Sequence, residues 1–114
     1  MALLRASGQH DKRDYTLHGV MDGAGTGVPA DDMLLRFVDA ALARDDAALT
    51  QARAAVHASL GPEALTDAAA VIGGFDGITR IADATGIPLE PAKAEQTADF
   101  FETLGIGVFR QAKA

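Results

Sequence analysis

The sequence predicts an all-α protein: a compact helical domain of four to five helices with an irregular segment at its N-terminus. Three observations carry this. From Asp31 onward apolar residues recur at helical spacing rather than alternating. Alanine, the best helix former, dominates a hydrophobic fraction of 48%, while aromatic residues make up 5%. Glycine, proline and paired aspartates fall between the periodic stretches, where helices start and stop. A length of 114 residues suits one domain with a core, so residues 1–114 are expected to form a single domain, with 1–29 irregular and 31–104 the helical core.

Residues 1–29 carry the weakest pattern. Leu3 and Leu4 open a short helix that Ser7-Gly8 is expected to end. Tyr15 to Met21 reads as extended, from its β-branched and aromatic content. Asp22 to Pro29 reads as a loop, because three alternating glycines and a proline favour no regular element.

The first strongly patterned helix covers about Asp31 to Arg44. Leu34, Phe37, Val38 and Ala41 share one face, with Asp31 and Asp32 at the positive end of the helix dipole. Asp45-Asp46 breaks it and supplies the N-cap of a second helix, about Ala47 to Ser59, whose stripe is Leu49, Ala52, Val56 and Leu60. Gly61 closes that helix and Pro62 opens the next.

The third helix, about Pro62 to Thr85, divides into three faces. Ala68, Val71, Phe75, Ile78 and Ala82 form a large apolar face, expected to lie in the core. Ala70, Gly73, Gly74 and Gly77 form a small-residue stripe that invites a second backbone. Asp76, Arg80 and Asp83 form a polar row. Gly86 is placed to end the helix in a left-handed cap, with Ile87 as its apolar contact and Pro88 preventing continuation. A last helix is expected over about 91–104, with Gly105 as its stop and an apolar tail, Ile106 to Phe109, docked on the domain.

Ten basic against sixteen acidic residues give a net charge of −6, and no lysine–arginine cluster exists beyond Lys12-Arg13. Nucleic acid and anionic membrane both need a positive surface and are not expected as partners. No apolar run reaches the ~20 residues a transmembrane helix needs. The first five residues are too short an apolar core for a secretory signal, so the expected location is cytoplasmic. An alanine-rich core buries little area per residue, so further burial against a second copy of the chain is expected.

Four groups of residues are candidates for chemistry. His10, Asp14 and His18 are spaced by four, which on a helix would converge as metal ligands; Gly8, Gly19 and the Tyr15-Thr16 pair argue against a helix there, leaving solvated histidines and no expected metal. Gly23 to Gly27 precedes a helix, as anion-cradling loops do, but lacks the lysine and glycine spacing of a nucleotide loop, so no cofactor is expected. His57 has no partner at helical spacing. Asp76, Arg80 and Asp83 are the sharpest group, because one guanidinium can reach either carboxylate. Their functional reading is a polar pocket with Arg80 and Asp83 in binding and Asp76 moving a proton, with His18 as an outside catalytic candidate. The alternative is a structural ion-pair row.

Leu34 to Pro91 resembles the C-terminal half of the carboxymuconolactone decarboxylase and alkylhydroperoxidase-D-like superfamily. The resemblance lies in Phe75-Asp76-Gly77-Ile78-Thr79-Arg80-Ile81-Ala82-Asp83 followed by Gly86-Ile87-Pro88-Leu89, where the family carries asparagines at the positions of Asp76 and Thr79. It implies an all-helical fold assembled as dimers, trimers or hexamers, and, in the peroxidase branch, a pair of cysteines. This chain has no cysteine, and a thiol peroxidase needs both a thiolate and a resolving thiol. Two readings follow: a homo-oligomeric binding or scaffolding module without thiol peroxidase activity, as a dimer or trimer, or a cofactor-independent lyase or isomerase acting on a small carboxylate or lactone, with a small anionic ligand held by Arg80.

Overall fold

A computed structural model of the chain describes residues 2–16 and 18–88, together with Glu95, Ala98, Glu102 and Gly105. The chain divides into two compact units, Met1–Pro29 with Pro88–Ala114, and Ala30–Ile87. The described residues form helices and turns with no strand among them, so the class is all-α.

The N-terminal segment is more regular than its sequence predicts. Helix α1 (Ala2–Asp11) runs through Ser7-Gly8 instead of ending there. Gly8 is buried, and a side-chain carbon on it would lie 2.6 Å from the Arg13 carbonyl oxygen and 3.2 Å from the Tyr15 ring. The chain reverses at Lys12, which adopts φ 54°. Arg13 then donates to the Gly8 carbonyl at 2.9 Å and the Tyr15 hydroxyl reaches Asp11 at 3.3 Å. Gly8 therefore admits a close backbone approach rather than stopping the helix.

The expected extended segment is also corrected, because helix α2 (His18–Asp22) occupies most of it. Thr16 Oγ1 accepts from the His18 N–H at 3.2 Å, a cap that needs a hydroxyl just ahead of a helix and overrides the β preference of Tyr15 and Thr16. Gly19 is buried against the loop that follows, where any side chain would overlap the Gly25 carbonyl. The loop itself is as expected, with Gly23, Gly25 and Gly27 all at positive φ.

In the second unit, helix α3 (Asp31–Ala43) leads through a two-residue turn into α4 (Asp46–Thr85). Arg44 closes α3 in the left-handed conformation, with its N–H on the Ala40 carbonyl. Asp45 caps α4, its side chain accepting from Ala47 at 3.1 Å and from Ala48 at 2.9 Å. Gly61, at φ 91° and ψ 171°, breaks α4 into a first arm (46–60) and a second arm (62–85), at the boundary the sequence predicts. A straight helix would hold Leu49 and Asp76 roughly 40 Å apart at 1.5 Å per residue. Both line one groove, so the second arm folds back at Gly61 and the unit is a three-helix arrangement.

Phe37, Ala40 and Val56 are the buried apolar residues among those described, and Val56 is fully enclosed. The core is thus a seam between α3 and the first arm. The second arm does not place its largest side chains in that core, contrary to expectation. Val71 is 58% exposed, Phe75 69% and Ile78 65%. The side it turns toward the groove carries Leu65, Ile72 and Asp76, about 120° around the helix from the Val71–Phe75–Ile78 stripe at 100° per residue.

Gly86 ends α4 at φ 67°, with its own N–H and that of Ile87 directed to the Ala82 carbonyl. The Ile87 side chain is 64% exposed and does not serve as the expected apolar contact. Of the expected last helix, Glu95, Ala98 and Glu102 are helical and Gly105 takes φ 63°, its N–H 3.2 Å from the Glu102 carbonyl. The rest of that element and the apolar tail lie outside the described residues. No helix among the described residues is long and apolar enough to cross a membrane.

Candidate functional site

The polar row of the second arm forms in part as spacing predicts. Arg80 Nε donates to Asp76 Oδ2 at 2.9 Å, one helical turn away. That hydrogen bond, and then the carboxylate's charge, raises the Arg80 pKa further above its ordinary value. Asp83 lies exposed three residues on. The Arg80 side chain is 72% exposed and Asp76 38%. Asp76 thus balances the charge of the Arg80 guanidinium, and the exposed pair lacks the water-excluded setting that strengthens a proton-transferring carboxylate.

The N-terminal candidates do not converge. His10 sits in the last turn of α1 rather than in a loop, Asp14 in the connection and His18 at the start of α2, all three exposed. No group of three or more potential ligands able to hold a metal exists among the described residues. His18 lies in the N-terminal unit, whereas Asp76 and Arg80 lie in the unit Ala30–Ile87. His57 is exposed on the first arm.

Two features of the second unit were not assigned by the sequence. One is the exposed apolar stripe of the second arm, Val71, Phe75 and Ile78, with Ile81 61% exposed nearby. The glycines of the same arm border open space, since a side-chain carbon on Gly73, Gly74 or Gly77 would meet nothing within 4 Å.

The other is an open groove of about 600 Å³ bordered by α3 and both arms of α4. Phe37, Leu49, Leu65 and Ile72 supply its apolar walls, and Arg44 and Arg53 line it as well. The third charged lining residue, Asp76, is engaged by Arg80. Arg53 Nη2 donates to Thr50 Oγ1 at 3.3 Å. Neither Arg44 nor Arg53 has a carboxylate partner among the described residues, whereas Arg36 pairs with Asp32 at 3.6 Å and Arg80 with Asp76. A sequence signal for this exists. Arg36 and Arg80 each have an aspartate four positions earlier; Arg44 and Arg53 have no acidic residue three or four positions away on either side.

A second groove, about 680 Å³, runs along the opposite side of the α3–α4 seam past Arg36, Asp39, Ala43 and Ala55. Its arginine is already paired with Asp32.

Comparison of the chain with family models, with curated proteins and with solved structures found no match. The likeness to the carboxymuconolactone decarboxylase and alkylhydroperoxidase-D-like superfamily therefore rests on its own motif, Phe75 to Leu89, alone.

Proposed function

We propose that this chain is a homo-oligomeric helical module, a binding or scaffolding protein that associates through the second arm of α4, and that it is a cysteine-less relative of the superfamily its motif resembles. The observation that carries this is the exposed stripe of Val71, Phe75, Ile78 and Ile81. Contiguous apolar surface of this kind marks interaction sites in soluble proteins. A second copy is the favoured occupant because the unit's own core is slight. Three apolar residues are buried among those described, so a mutual interface adds the area that the fold itself lacks. The open glycine flank lets a partner helix approach closely. The chain's net charge of −6 disfavours nucleic acid or an anionic bilayer on the same face.

Sedimentation velocity across a concentration series tests this. The native chain should sediment as a dimer or trimer at micromolar concentration. The Phe75→Asp, Ile78→Asp double variant should sediment as a monomer with unchanged helical circular dichroism. A native chain that stays monomeric throughout the series defeats the proposal.

A further inference from the structure

The groove between α3 and the two arms of α4 has the composition of a binding site for an amphiphilic anion. Its volume of about 600 Å³ falls in the range of small-molecule sites, which are mostly apolar with a few placed polar groups. Phe37, Leu49, Leu65 and Ile72 provide the apolar part and Arg44 and Arg53 the charged part. The charge is what distinguishes this groove from bare hydrophobic surface. The chain carries sixteen acidic and ten basic residues, so an arginine that no described carboxylate pairs with goes against the average composition. Two such arginines line one groove here, and the acid that shares it is already held by Arg80.

Arginine is suited to this role because its planar fork matches a carboxylate with two parallel hydrogen bonds. Arg44 reaches the groove from the left-handed residue that closes α3. Arg53 extends from the first arm with one nitrogen on Thr50, which limits its rotamers. Sequence and fold thus place along one groove two cations that are nine residues apart, one at a helix end and one on a helix face.

We infer that this groove binds a small carboxylate with an apolar body, the body lying on Phe37, Leu49, Leu65 and Ile72 and the carboxylate on Arg44 and Arg53. The site lies within one chain and is separate from the Val71–Phe75–Ile78 stripe, so it does not depend on self-association.

Titration calorimetry on the full chain with octanoate, octanol and octylammonium tests the assignment, since the three share one apolar body and differ in head-group charge. Octanoate should bind most tightly, octanol more weakly and octylammonium least. Arg53→Gln and Arg44→Asn, the latter chosen because asparagine tolerates the left-handed conformation, should each weaken octanoate by roughly tenfold or more and leave octanol unchanged. Arg36→Gln, in the opposite groove, should change nothing. The Phe75→Asp, Ile78→Asp double variant should keep octanoate binding even if self-association is lost. Equal binding of the three probes would make the groove plain apolar surface and overturn the inference. So would octanoate binding that survives both arginine substitutions, or an absence of octanoate binding in a chain whose circular dichroism shows it folded.

Discussion

The two arms of α4 differ in whether their large apolar side chains are covered. The first arm has alanine as its commonest residue, and it contributes Val56, which is fully enclosed. The second arm carries Val71, Phe75, Ile78 and Ile81, all more than half exposed. The difference lies in what each helix faces. The first arm is joined to α3 by two residues and packs along it, which encloses Val56. The second arm meets its neighbours on the Leu65–Ile72–Asp76 side, and its larger stripe is turned about 120° away. Burial is decided by the partner surface a helix is offered, and hydrophobicity alone leaves the choice of face open.

Substitutions at five positions break or sharpen that contrast. The largest effect is expected at the seam. Phe37→Ala should cost about 3–5 kcal/mol, whereas Phe75→Ala should lie within about 0.5 kcal/mol of the native chain under dilute conditions. Urea denaturation of both at low concentration checks the pair. A large loss for Phe75→Ala there would mean the stripe is covered within one chain.

The next effect belongs to the hinge that lets the arms fold together. Gly61 has a conformation close to glycine-only, so Gly61→Ala should cost about 1–3 kcal/mol through backbone strain, although a side-chain carbon would meet only Glu63 at ordinary contact distance. Thermal unfolding followed by circular dichroism measures it. The start of the first arm comes next. Asp45→Ala removes two hydrogen bonds to Ala47 and Ala48 and should cost about 1 kcal/mol. Asp45→Asn should recover most of that loss in the same assay.

The smallest effect has the opposite sign. Gly74→Ala in the second arm should stabilise the isolated chain by up to about 1 kcal/mol, because the added carbon meets nothing and alanine is the better helix former. If Gly74 faces a second copy, the same substitution weakens self-association while raising the melting temperature of the monomer. Sedimentation and thermal unfolding on one sample separate the two outcomes. At Gly61 the glycine is required by its own backbone angles, and at Gly74 nothing within the chain requires it.

The local devices of the second unit were legible because each is set by neighbours in sequence. The Asp45 cap, the break at Gly61-Pro62, the left-handed stop at Gly86 and the pairing of Asp76 with Arg80 all depend on residues within four positions. The N-terminal segment departs from its pattern because its glycines are not breakers. Gly8 and Gly19 instead admit backbone from elsewhere in their unit, and a one-letter pattern does not distinguish a glycine that ends a helix from one that lets another strand of chain approach. The arginines of the second unit divide along the same line. Arg80 is legible from the carboxylate one turn away, which it engages. Arg44 and Arg53 lacked a local partner, and only the turn at Arg44-Asp45 and the reversal at Gly61 bring them to one groove.

By itself, then, the sequence determined the helical class, the caps and breaks of α3 and α4 and the local ion pairs, since these are contests between nearby backbone and side-chain groups. The tertiary structure decided which face of the second arm is covered, which arginines share a groove and where that groove lies. Those outcomes depend on how helices far apart in sequence come together. The hydrophobic term that drives them has no direction of its own, so three apolar or small faces on one helix compete until a neighbour selects among them.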